Sequence, residues 1–205
     1  IEGAPIVEVD SVSRRGLDEL VQKIDEISED IEEKKTDAPS RMSIDRVFSL
    51  KGFGTIVTGT LIEGKISVDD EMTIYPSEKK VKVRNLQVHG CDVKTAYAGQ
   101  RTAINLSNIK VSEIQRGDVI AQTGSVEESM MIDVNISLVE HCKKSLKHWD
   151  RIRIFHGTKQ ILCRIVPLNE DEIQYGESGY AQLRLEEKIV AKKGDRFIIR
   201  SYSPM

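Results

Sequence analysis

Hydrophobic residues keep helical spacing in one stretch of this chain and strand spacing almost everywhere else. Leu17, Leu20, Val21, Ile24, Ile27 and Ile31 share one face of a helix that opens after Gly16-Leu17. Ser13 is its expected N-cap, with Gly16 in the first turn. Upstream, Ala4-Pro5-Ile6-Val7-Glu8-Val9 reads as a short buried strand. One strand and one helix cannot enclose a core, so residues 1–35 are expected to be the end of an α/β domain whose body lies elsewhere in a longer protein. The charged stretch 32–40 closes on Ala38-Pro39-Ser40, which stops the helix and leaves 36–40 as a linker.

From Arg41 onward, short Val/Ile-rich runs alternate with Gly, Asn, Asp and Ser clusters, the signature of a mainly β chain. Runs at 42–49, 54–62, 71–75, 79–88, 100–106 and 118–122, with turns at Gly64, Pro76, Gly90, Gly99 and Gly117, suit a closed antiparallel barrel over 41–124. A second set at 132–140, 151–155, 159–167, 178–186 and 195–201 predicts another barrel over 130–205. The two sets share no fixed-period repeat, so they are two consecutive antiparallel β-barrels rather than an array.

Composition narrows the function classes. The 205 residues are 39% hydrophobic, ordinary for a soluble protein with real cores. A net charge of -3 excludes a generally basic nucleic-acid coater, so any RNA contact must come from a local patch. Cys91, Cys142 and Cys163 are odd in number and far apart, which suits reduced cytosolic thiols rather than a zinc site. His89, His141, His148 and His156 have no metal-site spacing either, and no metal is expected. No apolar run approaches the length of a membrane span, and Ile1 opens neither on a start methionine nor on a signal peptide. A piece of a longer soluble protein is the expectation.

Several positions carry candidate chemistry. Strict alternation along 42–48 puts Arg46 on the same side as Met42, Ile44 and Phe48. A guanidinium there must pair with an acid, snorkel to the rim or await an anionic ligand. Arg101 shares its side with Ala103 and Asn105, so it reaches either solvent or a ligand. The run from His141 to Arg151 is basic within an acidic chain and reads as either a solvated loop, with Trp149 packed on the barrel, or an RNA contact. Glu26, Glu29, Asp30, Glu32 and Glu33 read as a solvated helix face.

The stretch from Asp45 to Thr60, with Gly52-Phe53-Gly54 at its turn and Gly59 near its end, resembles the opening of the second domain of the translational GTPases, the family of elongation factor Tu. The resemblance covers the whole chain: a G-domain tail, then barrels two and three. Within that superfamily, Val83 to Gly90, Ala98-Gly99-Gln100-Arg101, Gln115 to Val119 and Ala191 to Arg200 look like the bacterial selenocysteine-specific elongation factors. That resemblance implies that Asp45, Arg46 and Arg101 form the pocket for a selenocysteinyl group. A selenol is largely ionised at neutral pH, whereas the precursor's serine hydroxyl stays neutral, so two permanently charged arginines can tell them apart. Asp45 would orient the arginines or accept a bond from the amino group. As neighbours, Asp45 and Arg46 converge on one pocket only if the strand is bulged or ends there.

The resemblance further implies that Lys143, Lys144, Lys147 and Arg151 face the tRNA acceptor or T-stem. It places Asp10 and Ser11 where GTPases carry their last guanine-contacting loop, although family members usually have Ser-Ala there and a glycine at Arg14. No Gly-x-x-x-x-Gly-Lys-Ser/Thr phosphate loop occurs, so this fragment is expected to be no enzyme and to hold no cofactor of its own. GTP and Mg belong to the parent's absent G domain. The implied partners are selenocysteinyl-tRNA, the ribosome and, through absent C-terminal domains, an mRNA hairpin, in the cytoplasm and with no membrane. The alternatives are a generalist aminoacyl-tRNA factor, the GTPase subunit of a sulfate-activating enzyme, and a scaffold whose arginines are paired internally.

Overall fold

The structure, a computed structural model, describes residues 4–31, 34–141 and 144–201. It divides into two compact units, Ile1–Lys34 and Lys35–Met205. In the first, helix α1 spans Leu17–Glu29 and buries none of its residues; Val21, Ile24 and Ile27 are exposed. Gly16, not Ser13, is the N-cap, in the left-handed region at φ 75°. A Cβ there would stand 2.1 Å from the Glu8 carbonyl oxygen, so only glycine permits this approach. Ser13 instead donates its hydroxyl to Asp10 at 2.6 Å. Residues 4–9 form no strand, contrary to the expectation from their pattern. A strand is defined by its neighbour, and among the described residues of this unit there is none to pair with.

The second unit is all β apart from a 3₁₀ turn at Val111–Glu113. Its first half holds β1 (Arg41–Leu50), β2 (Gly54–Glu63), β3 (Lys65–Ser67), β4 (Glu71–Tyr75), β5 (Lys79–Val88), β6 (Cys91–Val93), β7 (Thr95–Tyr97), β8 (Arg101–Ser107) and β9 (Val119–Gln122). Antiparallel ladders run β4-β9-β1-β2-β8-β5, and a β4–β5 pairing closes the ring. The six strands of the ring are the six that alternation predicts; the three-residue β3, β6 and β7 are additional. Met42, Ile44, Val57, Leu61, Leu86, Ile104 and Ile120 fill the interior at no exposure. Each such side chain contributes about 1.5–3 kcal/mol by leaving water.

The second half contains β10 (Glu128–Ser137), β11 (Leu146–Lys147), β12 (Arg151–His156), β13 (Lys159–Pro167), β14 (Glu172–Ile173), β15 (Ser178–Val190) and β16 (Phe197–Ser201). A five-stranded sheet is ordered β10-β15-β13-β12-β16, and β11 pairs with β14 in a small ribbon. Ile152, Ile154, Ile161, Cys163, Ile165, Leu183 and Leu185 alternate inward to form the core, to which the ribbon adds Ile173 and Leu146.

The two halves are joined by a buried polar clamp. Arg41, with its side chain 4% exposed, donates to both carboxylate oxygens of Asp195 at 2.6 and 2.7 Å and to Glu63 at 2.8 Å. His156 Nε2 lies 3.0 Å from Asp195, the Lys192 amide donates to Asp195 at 2.9 Å, and Lys192 Nζ donates to Glu63 at 2.7 Å. Burial pushes the Asp195 carboxyl up, but the bonds from Arg41, His156 and the Lys192 amide outweigh it and hold the group well below the carboxylate range. Thr158 donates across the same seam to the Ile44 carbonyl at 2.7 Å. A small apolar cluster of Tyr75, Val119, Ala121, Val126 and Val190 lies beside it.

Candidate functional site

The register of β1 against β2 slips at one residue. Ile44 pairs with Gly59 and Arg46 with Thr58, leaving Asp45 as the extra residue of a bulge. The bulge inverts the alternation beyond it: Val47 packs on the core, whereas Arg46 and Phe48 turn outward. Arg46 therefore does not share an apolar face with Met42 and Ile44, as unbroken period two would require; it is exposed. Gly59 makes the bulge possible, since a Cβ there would lie 2.2 Å from the Ser43 carbonyl oxygen.

Asp45 sits at the centre of the resulting cluster. Arg101 Nη1 donates to its Oδ2 at 2.5 Å, Arg101 Nη2 to Oδ1 at 3.1 Å and Thr58 Oγ1 to Oδ1 at 2.7 Å. Arg101 reaches it from the start of β8, two strands from β1. Burial raises the Asp45 carboxyl, but the hydrogen bonds from Arg101 and Thr58 and the charges of Arg101 and Arg46 prevail and lower it. Arg46 itself forms no ion pair among the described residues. The three charged residues thus sum to one net positive charge, and the uncompensated guanidinium is that of Arg46.

Beside Arg101 a cavity of about 210 Å³ is lined by Thr58, Gln87, His89 and Ala103. An adjoining slot of about 100 Å³ shares Gln87 and Ala103 and adds Leu50, Phe53, Ile56 and Asn105. Asn105 is 9% exposed, and its side-chain oxygen is buried without a hydrogen-bond partner. Such an acceptor stays unsatisfied until a hydrogen-bond donor, N–H or O–H, reaches it. Sequence reasoning missed Thr58, Gln87, His89 and Asn105. The outward alternation of Gln87 and His89 into the Gly90 turn was a usable signal; the pairing of Thr58 with Asp45 was not, because it depends on the bulge.

The other sequence-derived positions do not gather into a comparable site. Lys147 lies 3.5 Å from Glu172, and Arg151 is bonded to both oxygens of Glu186 at 2.8 Å. Lys144 is exposed, and Lys143 lies outside the described residues. Asp10 accepts from the Val12 amide at 2.9 Å and from Ser13, so its carboxylate is used in its own turn; Ser11 is exposed. The Gly52-Phe53-Gly54 sequence forms the β1–β2 turn rather than a lead into a helix, so it is no phosphate cradle.

Residues 54–121 match the family model for elongation factor Tu domain 2, and residues 133–204 match that for the β-barrel domain of selenocysteine-specific elongation factor. The protein is thus of the translational elongation factor class. Over all 205 residues it is 38% identical to a selenocysteine-specific elongation factor of Desulfomicrobium baculatum, covering 32% of that protein. Its fold matches translation elongation factor SelB of Methanococcus maripaludis in the apo form, with TM-score 0.86 and 25% identity, covering 98% of this chain and 47% of that one. A second structure of that factor, in complex with the GTP analogue GPPNHP, matches with TM-score 0.85. The chain belongs to the selenocysteine-specific elongation factor family, and it spans about a third of the Desulfomicrobium relative.

Proposed function

We propose that this chain is the aminoacyl-checking part of a factor that carries selenocysteinyl-tRNA to the ribosome. In this reading residues 1–35 close the G domain, 36–40 link, 41–124 form barrel two and 130–205 form barrel three. The observation that carries it is the bulge cluster: Asp45 occupies Arg101, while Arg46 beside it remains uncompensated. A selenolate brings the single negative charge that neutralises the trio; a serine hydroxyl brings none. Because one arginine is already engaged by Asp45, the charge contrast rests on one guanidinium in a partly exposed site. It is worth on the order of 10-fold to 10²-fold in affinity. Asp45, held by Thr58, fixes Arg101 and presents an acceptor to the α-amino group.

The slot beside the cavity suits the adenosine to which every aminoacyl group is esterified. Leu50, Phe53 and Ile56 offer apolar surface to the base, and Asn105 offers its unsatisfied oxygen to a base N–H. In barrel three, Lys144, Lys147 and Arg151 lie toward the tRNA body, with Lys143 beside them in sequence. GTP and Mg are the business of the parent's G domain, for which Asp10 and Ser11 would mark the last guanine loop. An mRNA hairpin would be bound by domains beyond this segment, and the setting is the cytoplasm.

The test is protection of selenocysteinyl-tRNA and seryl-tRNA from ester hydrolysis by the full-length parent with GTP, for the wild type and Arg101→Ala. Protection of the selenocysteinyl ester alone, lost in the variant, is the expected result. Equal protection of both esters would mean a generalist factor and would refute the pocket.

A further inference from the structure

Three strands of the first barrel bring amide side chains together beside the slot. Asn85 and Gln87 lie on β5, opposite Asn105 and Ala103 of β8, and Gln87 also stands opposite Asp92 of β6. Asn85, Gln87, Ala103 and Asn105 line the slot of about 100 Å³ whose apolar wall is Leu50, Phe53 and Ile56. No lysine, arginine or hydroxyl side chain lines it among the described residues. An amide has a donor end and an acceptor end of nearly equal size, so what this slot can bind depends on which way each amide is turned.

Asp92 decides it for two of them. Asn85 Nδ2 donates to its Oδ1 at 2.8 Å, and Gln87 Nε2 donates to the same oxygen at 2.9 Å. A carboxylate only accepts, so turning either amide over would lose a hydrogen bond and set oxygen against oxygen. The bonds from Gln87 and Asn85 hold the Asp92 carboxyl below its usual value, which keeps it ionised at neutral pH. With their N–H₂ ends committed, Asn85 and Gln87 keep side-chain oxygens that accept no hydrogen bond among the described residues. Asn105 adds a third oxygen, buried and likewise unpartnered.

We propose that Asp92 is a positioning residue for base selection: by fixing the amides of Asn85 and Gln87 it makes the slot a reader of an amino group carried on a flat apolar ring. The proposal rests on the reading above that the terminal adenosine occupies the slot, and adds how adenine is told there from its 6-oxo counterpart. The 6-amino group of adenine brings two N–H donors on an apolar ring, which matches acceptor oxygens beside Leu50, Phe53 and Ile56. Hypoxanthine has the same size but an oxygen at that position, so three acceptors would face a fourth. A site built around hydrogen bonds rejects an isostere that cannot make them, because its own polar groups are then left unpaired. Asp92 is exposed and does not line the slot, so it acts only through Asn85 and Gln87.

The experiment takes the full-length parent with GTP and selenocysteinyl-tRNA ending in adenosine, inosine or purine riboside. It measures protection of the ester from hydrolysis across protein concentrations, with thermal melting alongside. The wild type should hold the adenosine end about tenfold or more tightly than the inosine end, with purine riboside between them. In Asp92→Ala the freed amides can turn, so the inosine end should be held to within about threefold of the adenosine end, and Asp92→Glu should restore most of the preference. The melting temperature should move by less than about 2 °C, because Asp92 is exposed. Arg101→Ala, weaker overall, should keep the wild-type ratio between adenosine and inosine ends. Equal protection of both ends by the wild type overturns the proposal while the aminoacyl reading stands. An inosine penalty that survives in Asp92→Ala overturns the role of Asp92. So does an equal loss for all three ends together with a lower melting temperature, which would make the carboxylate no more than a tie of the β5–β6 hairpin. Protection of no ester by the wild type would refute the reading on which the proposal rests, and the proposal with it.

Discussion

The clamp between the two barrels predicts a large effect from one atom exchange. Asp195→Asn keeps the shape of the side chain but removes the charge that faces Arg41, whose side chain is 4% exposed. An amide can accept from only one arm of the bidentate pair, and its own N–H₂ then points at a guanidinium or at His156. Removing one member of a buried ion pair costs about 3–5 kcal/mol, because the remaining charge stays out of water uncompensated. Glu63 still accepts from Arg41 Nε at 2.8 Å, which moves the expectation to the low end, about 3 kcal/mol. For a unit of this size, each kcal/mol shifts the melting temperature by about 2–4 °C, so a fall of roughly 6–12 °C should be seen by calorimetry. Arg41→Met with Asp195→Leu should recover much of the loss, since the apolar pair carries no desolvation cost and Lys192 keeps Glu63 occupied. A drop below about 2 °C for Asp195→Asn would refute the view that this network holds the barrels together.

The same carboxylate sets an acid limit. Its folded-state value is depressed, so its stabilisation is complete above the unfolded value of about 3.9 and is lost as pH falls below that toward the folded one. Melting temperature should decline steeply below about pH 4 in the wild type and more shallowly in Asp195→Asn; parallel curves would exclude Asp195 as the cause. Gly59→Ala forces a Cβ to 2.2 Å from the Ser43 carbonyl oxygen, so β1 must shift at the bulge, with about 1–3 kcal/mol lost in urea denaturation; an unchanged midpoint would show the strand yields freely. Cys163 is fully buried, and burial followed by the charge of Glu186 pushes its thiol up to about 12, whereas Cys91 is exposed. Peptide mapping after iodoacetamide at mildly alkaline pH should find Cys91 modified and Cys163 only in denaturant; early labelling of Cys163 would mean the second core opens locally.

Alternation of Val and Ile with polar residues was enough to mark every strand of the closed ring and the five strands of the second sheet. That pattern is local: a side chain's face is determined by its own parity along the strand, and each inward residue gains from burial whatever its partner. Parity fails where the backbone inserts a residue, and Arg46 shows it. Its side of the strand was decided by the bulge at Asp45, which exists because Gly59, on the neighbouring strand, leaves room for it. The short strand read at 4–9 failed for a related reason, since a strand needs a pairing partner as well as a pattern. Asp45, Thr58 and Arg101 meet only through the ladders β1–β2 and β2–β8, and Asn85, Gln87, Asp92 and Asn105 only through the register of β5 with β6 and β8. The chain alone therefore determined the run of strands and, away from the bulge, which residues lie inside, because hydrophobic burial acts one residue at a time. Which charges face one another was left to tertiary structure, because electrostatic contact depends on distances between strands far apart in sequence.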